Sequence, residues 1–415
     1  MAPLPPRSLD AEWLRRPETQ AVFAALAAQG HESRAVGGAV RNALAGAPVG
    51  DVDIATVALP AQVVAAAEAA GLKALPTGLD HGTVTVVSGG RPHEVTTLRK
   101  DVETHGRHAT VAFTDDWAAD ARRRDFTINA LYCSAGGEVF DPLGGYGDVA
   151  RRRVRFIGDP VARIREDYLR ILRFFRFNAG FGEGAPDAAG LSACVRERDG
   201  LAVLSAERVR QELMRLLAAP RAAEIVGVMF DHGLIVPVLG AAPRPALLTR
   251  LAGIEAQNGL DPDAVLRLAV LAIAVVDDVG RLRDRLRLSN DEADVLARAA
   301  DDHGPDLSTE RAAKACLYAE GAAAYRRRVL LSWAASGDAL TAESWRGRLA
   351  LPERWAPPRL PLGGDDVIAL GIPEGPRIGE LLRQLERWWI AGDFAANETQ
   401  LRGKLKELAS AGRTA

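Results

Sequence analysis

The sequence predicts an α+β protein, in which a small head of mixed helices and strands is followed by a long all-helical remainder. Three observations carry this. Between Ser33 and about Arg155, short apolar runs alternate with glycine-marked turns, as in "GTVTVVSGGRPHEVTTL" (82–98). After about residue 156 the strand texture stops, and Ala/Leu/Arg-rich amphipathic segments take over. At 351–366 the proline-rich "LPERWAPPRLPLGGDD" separates a last helical unit. The expected division is a head over 1–155 that includes an N-terminal helix, a helical neck over 156–220, a helical body over 221–350 and a helical tail over 351–415.

The elements follow in order. Residues 10–29 read as a leading helix interrupted at Pro17. "SRAVGG" is a strand running into a turn, and "AVRNALAG" a short helix ended by Gly46. "VDIAT" (52–56) is a strand. "PAQVVAAAEAAG" (60–71) is a helix with proline in its first turn and Gly71 after its last. Two strands flank the Gly89–Gly90 turn, and "INALYCSAGGEVFDP" (128–142) reads as a helix end followed by a strand. Helical periodicity then predicts 160–179, 205–218, 221–232, 244–257, 262–276, 289–302, 308–318 and 321–336, with a final unit over 376–412. Ser289-Asn290-Asp291-Glu292 supplies side-chain oxygens for the free amides of a helix start.

Composition narrows the function classes. The chain has 415 residues, 48% of them hydrophobic, which is ample for a core and too long for one compact unit. The longest apolar run, "LAVLAIAVV" (268–276), is too short to cross a bilayer. The start, "MAPLPPRSLDAEW", lacks the pattern of a cleaved leader. The expectation is a soluble cytoplasmic protein. Cys133, Cys194 and Cys316 are far apart in sequence, with no zinc-type spacing and no even count for a disulfide framework. Net charge is −2, so the molecule is no polycation, but arginine clusters at 122–124, 151–155, 163–176 and 326–328.

Chemistry concentrates in "AVGGAVRNALAGAPVGDVDIA" (35–55). Gly37 and Gly38 precede a helix, where backbone can approach an anion closely and amides are free. Arg41 lies in the first turns. Asp51 and Asp53, two apart in a strand, point to one face. Two carboxylates so placed repel unless a cation lies between them, and oxygen donors suit Mg²⁺, which keeps positions open for substrate phosphates. Glu94, on "HEVTTL", is the candidate third acid if its strand lies alongside. Singly, a glycine pair is an ordinary tight turn and an isolated Asp-x-Asp an ordinary strand end; their order here is what points to phosphate chemistry.

These residues resemble the signature of the class II tRNA nucleotidyltransferases and bacterial poly(A) polymerases, whose head is polymerase-β-like. The resemblance continues in order through "DARRRDFTINALY" (120–132), similar to a ribose-binding motif, and "DPLGGYGDVARRRVRFIGDP" (141–160), similar to a head–neck connector. "RIREDYLRILRFFRF" (163–177) resembles the base-selecting helix, "SAERVRQEL" (205–213) a further neck motif, and 362–394 the tail of long bacterial members. It implies that Gly37, Gly38 and Arg41 contact nucleotide phosphates, that Asp51 and Asp53 hold Mg²⁺ with Glu94 as third acid, and that Arg124 binds the nucleotide with Asn129 near the ribose. It also implies that Asp167 and Arg170 select cytosine or adenine in place of a template strand, with Arg173 and Arg176 continuing that face toward base or phosphate. The plain alternative for Asp167 and Arg170, at i and i+3, is an intrahelical ion pair. One departure is Asn42, where the family often has Asp. Either the residue caps and orients the turn, or its charge serves the metal site.

The resemblance implies template-independent addition of CCA to tRNA 3′ ends from CTP and ATP, with tRNA held through phosphates by the helical remainder. Poly(A) polymerase and CC-only or A-only addition share the active site. The segment "TLRKDVETHGRHATVAF" (97–113) resembles the head loop that full CCA-adding and A-adding members use to switch to ATP, and no strongly basic C-terminal extension of the poly(A) polymerase kind is present. A non-catalytic RNA-binding protein would be expected to have lost the Asp-x-Asp pair, and a small-molecule nucleotidyltransferase would not need the neck motifs. The body shows no His/Asp cluster of the phosphohydrolase type. Oligomeric state is not legible.

Overall fold

The computed structural model describes residues 7–79, 82–105, 108–300 and 307–411, excepting the side chains of 101–111. The chain forms two compact units: residues 1–245 with 284–287, and residues 246–283 with 288–415.

The first unit is built on a seven-stranded mixed sheet. Its strands are β1 (Ser33–Val36), β2 (Asp53–Thr56), β3 (Lys73–Gly78), β4 (Thr83–Ser88), β5 (Arg91–Thr97), then β8 (Tyr132–Cys133) and β9 (Val139–Phe140). The backbone of β6 (Arg99–His105) and β7 (His108–Phe113) forms a separate hairpin within the stretch expected to act as the head loop; residues 106–107 lie outside the described residues. The sheet order is β3-β4-β5-β2-β1-β8-β9, antiparallel throughout except for the parallel pair β2 and β5. Alternation decides its faces. Val84, Val86 and Val95 are fully buried together with Ile54, while Asp53 and Glu94 take the intervening exposed positions. Three helices pack on this unit: α1 (Glu12–Arg15), α2 (Pro17–Ala28) after the break at Pro17, and α4 (Pro60–Ala69). The expected helix over "AVRNALAG" is α3 (Gly38–Leu44).

Further helices of the unit are α5 (Trp117–Arg122), α6 (Tyr146–Ala150), α7 (Pro160–Glu166), α8 (Leu169–Gly180), α9 (Ala188–Arg196) and α10 (Ala206–Leu217). Phe126, Phe156, Phe174 and Phe177 pack as a ring cluster joining the connector to α8, with Phe156 and Phe174 stacked at 5.4 Å. Area burial of such rings is the main attraction available here.

Three expectations need correction. The segment 160–179 is two helices, because Asp167 is extended (φ −157°, ψ 105°) and its carboxylate accepts the amide of Leu169 at 3.1 Å. A cap of that kind competes with helix continuation. Asp51 lies in the coil ahead of β2, which begins at Asp53. The stretch 128–142 is a 3₁₀ turn (Thr127–Asn129) followed by two short strands.

The second unit is helical among its described residues. Helices over 264–272, 290–300 and 310–336 pack together, the last kinked at Gly321 (φ 77°, ψ 165°) where two segments were expected. Ser289 and Glu292 exchange side-chain-to-amide hydrogen bonds, forming the expected helix start. The final unit is two helices, Pro376–Ala391 and Glu398–Ala411, around Leu381, Leu385, Trp389, Leu401 and Leu405.

Candidate nucleotide-binding site

All the candidate catalytic and nucleotide-binding residues named from the sequence except Asp51 and Glu94 line one pocket of about 490 Å³. Gly37, Gly38, Arg41, Asp53, Arg124 and Asn129 come from residues 37–129, and Asp167, Arg170, Arg173 and Arg176 from the α7–α8 segment. Arg123, Asp125, Phe177 and Arg208 join them.

The glycine turn explains itself in backbone terms. Gly37 precedes α3 with φ 71° and ψ −120°, a conformation open to glycine alone. A Cβ on Gly38 would meet only the Arg41 guanidinium, at 3.8 Å. The protein therefore leaves space beside Gly38 rather than filling it.

Arg41 is held by neutral groups. It donates to the side-chain amide oxygen of Asn129 at 2.5 Å and to that of Asn42 at 3.0 and 3.1 Å. Among the described residues no carboxylate pairs with it. Burial, and then Arg176, lower its pKa to about 10, so it stays charged at neutral pH and its charge is uncancelled by direct contact. Asn42 also donates its amide to the Pro48 carbonyl at 2.9 Å, a bond Asp could not make. Of the two roles open for Asn42 in the sequence, these contacts are those of orienting the turn: they tie Arg41 to the loop that leads to Asp51.

Behind Arg41 runs a chain of buried polar groups. The Asn129 amide donates to Asp125 at 2.9 Å, Arg173 donates to Asp125 at 2.6 and 2.8 Å, and Arg176 donates to Glu212 at 2.5 Å. Burial alone would raise the Asp125 carboxyl, but Arg173, Asn129 and the Phe126 amide hold it below the usual range. Arg124 and Arg123 likewise bracket the buried Asp120, whose carboxyl also accepts the Tyr132 hydroxyl at 2.8 Å. These partners fix where the guanidinium groups stand.

Asp167 and Arg170 do not pair with each other. Asp167 accepts Arg208 at 2.7 Å, whereas Arg170 donates to Glu166 at 2.5 Å and to the Arg163 carbonyl at 2.8 Å. The intrahelical ion pair is excluded by the helix break at Asp167, which leaves both side chains on the pocket wall.

The acids are arranged around β2. Asp53 and Glu94 are register partners across the parallel β2–β5 pair. Crowding by surrounding protein, then Glu94, push the Asp53 carboxyl up to about 6, with Asp51 adding to the rise and Arg124 opposing it. Among the described residues no three His, Cys, Asp or Glu side chains converge into a ready-made metal cage. The donors are an open set of mutually repelling carboxylates, which fits a hard cation that keeps water and phosphate ligands.

Arg208 and Asp125 were legible only in part. Both sit inside segments already singled out, "SAERVRQEL" and "RRDFT", but nothing in spacing says that Arg208 would reach Asp167, 41 positions earlier.

Comparisons with known proteins agree with this architecture. Residues 33–155 match the family described as poly A polymerase head domain, which defines a nucleotidyltransferase head, and 188–245 match the probable RNA and SrmB-binding site of polymerase A. Mitochondrial CCA tRNA nucleotidyltransferase 1 of Mus musculus is 35% identical over 95% of this chain and 93% of its own; that of Homo sapiens is 33% identical over 97% and 95%. The crystal structure of Bacillus stearothermophilus CCA-adding enzyme in complex with CTP superposes with TM-score 0.72 at 30% identity, covering 96% of this chain and 99% of that one. The chain belongs to the CCA tRNA nucleotidyltransferase family.

Proposed function

We propose that this chain adds CCA to tRNA 3′ ends from CTP and ATP, without a nucleic-acid template, using Mg²⁺ held by Asp51 and Asp53. The observation that carries the reading is the meeting of the glycine turn, Asp53, Arg124, Asp167 and Arg170 around one pocket of nucleotide size. Relatives named as CCA-adding enzymes, one of them solved with CTP, support the same reading.

In this reading Gly37 and Gly38 let the triphosphate lie against backbone, and Arg41, charged and tied only to carboxamides, meets its oxygens. Arg124 is set by Asp120 to reach the same nucleotide, and Asn129 lies beside the ribose. Asp167 offers acceptor oxygens and Arg170 donors, a pair able to satisfy the edge of cytosine or adenine; Arg173 and Arg176 back that wall. The attacking group is the RNA 3′ hydroxyl, the broken bond joins the α- and β-phosphates, and pyrophosphate leaves. Mg²⁺ bound here would favour ionisation of the hydroxyl and neutralise charge on the leaving group. Glu94 contributes negative potential next to Asp53. We also propose the head, neck, body and tail division at 155, 220 and 350, with the tail binding RNA, and a reducing compartment, the cytoplasm, which the three free buried cysteines support. No helix among the described residues is long and apolar enough to cross a membrane.

The test is incubation with tRNA transcripts ending at the discriminator base, at C and at CC, with CTP and ATP separately and together, and sequencing of the products. CCA ends that then stop support the proposal. Long A-tails would assign poly(A) synthesis, and arrest at CC or a lone A would assign partial addition.

A further inference from the structure

A second pocket, of about 400 Å³, shares a wall with the first. Arg41, Arg176 and Phe177 line both. The second pocket adds Arg152 and Arg215, and no carboxylate lines it, whereas Asp53, Asp125 and Asp167 line the first. Three of the four guanidinium groups stand around two rings. Arg41 lies 5.1 Å from the centre of Phe177 and 5.4 Å from that of Phe181, Arg176 lies 4.1 Å from Phe177, and Arg152 lies 5.2 Å from Phe181. Arg215, at the end of α10, makes no side-chain hydrogen bond or ion pair among the described residues. Arg152 is held in a left-handed backbone conformation (φ 50°) and donates to the Ala45 carbonyl at 2.6 Å, fastening the loop that carries Pro48. Gly180 and Ala218 keep the remaining wall low.

We propose that this second pocket receives the phosphodiester backbone of the RNA 3′ end while the first holds the nucleoside triphosphate; the inference rests on the function proposed above. Nucleotide transfer needs two polyanions side by side, and Arg41 and Arg176 are the charges both would share. The pocket has cations and flat apolar faces but no acidic acceptor with which to read a base edge. It therefore recognises backbone and stacking, not sequence. That suits an RNA end whose last base changes with every addition. Its lining includes Pro48, in the loop that leads to Asp51.

The test measures binding of a transcript ending at the discriminator base over a range of salt, and of CTP separately, for the full chain and for Arg215→Ala and Arg215→Lys. Arg215 is exposed, and its substitution leaves the α10 core untouched. Arg215→Ala should weaken RNA binding by about fivefold and flatten the logarithmic salt slope by about 1. Arg215→Lys should restore both, and CTP affinity should stay within about twofold of the parent. The effect should vanish on a transcript trimmed to a blunt acceptor stem. Ala218→Trp, which fills the pocket, should reproduce the RNA defect. Unchanged RNA affinity and slope overturn the proposal. A parallel loss of CTP affinity also overturns it, assigning the pocket to the nucleotide's own phosphates, and an effect that persists on the blunt stem overturns the placement at the 3′ end. Failure of the function itself is read separately, as absence of nucleotide addition by the parent chain.

Discussion

Asp53 and Glu94 stand opposite each other as register partners on the parallel strands β2 and β5, so two carboxylates share one exposed face of the sheet. Only Asp53 of the two lines the nucleotide pocket. Asp53→Asn should therefore slow single-turnover addition by about a thousandfold or more, several kcal/mol of lost charge stabilisation, while filter-bound tRNA is retained as by the parent. Glu94→Gln should cost less than about tenfold, as expected for an acid acting through potential.

The Asp53 carboxyl also predicts a pH dependence. Its pKa is raised to about 6 in the metal-free protein, above an unfolded value of about 4. The folded state then holds this proton more tightly, so the ionised group is a cost at neutral pH that disappears as pH falls from above 6 toward 4. Asp53→Asn should raise the metal-free Tm at neutral pH and leave it nearly unchanged at about pH 4. Below pH 6 the cation must displace a proton, so Mg²⁺ affinity measured by titration calorimetry should fall by up to about tenfold per pH unit.

Asp125 has the opposite sign. Its carboxyl is held below the usual range, so its contribution is present above about pH 4 and lost as pH falls through the lower folded value. Asp125→Asn leaves Arg173 without its main partner and should lower stability by about 2 kcal/mol at neutral pH, because Arg173 keeps some solvent access. Denaturant melts at neutral pH and at about pH 3 should show that difference closing with acid.

Arg208 fixes Asp167 through a 2.7 Å ion pair and, in the proposed function, positions it for base selection. Arg208→Ala should raise KM for CTP and ATP by about tenfold and admit UTP and GTP, with kcat for CTP much less affected. Since both residues serve one contact, Asp167→Ala combined with Arg208→Ala should cost little more than Asp167→Ala alone. Steady-state kinetics with all four nucleotides provides the check.

Gly37 occupies backbone space that side chains avoid (φ 71°, ψ −120°). Gly37→Ala should destabilise the protein by about 2 kcal/mol. It should also weaken CTP binding, readable by calorimetry, because the strain is released by moving the turn that lines the pocket. Gly38→Ala meets nothing closer than the Arg41 guanidinium at 3.8 Å and should affect binding more than Tm.

Local chemistry was legible in the chain itself. Gly37 before a short helix, the alternation of Val84, Val86 and Val95, the break at Pro17 and the start at Ser289 each depend on neighbours a few positions away, so periodicity and capping reveal them. The helix break at Asp167 was less legible, because "RIREDYLRILRFF" keeps an unbroken helical rhythm and only a side-chain cap on Leu169 stops it. What tertiary structure alone decided are pairings across long separations. Arg208 reaches Asp167, Arg173 reaches Asp125, and Phe177 divides two arginine-lined pockets. An arginine is the same letter in a solvated run and in a buried clamp, and its role is set by which carboxylate the fold brings within 3 Å, information that exists only once the chain has closed on itself.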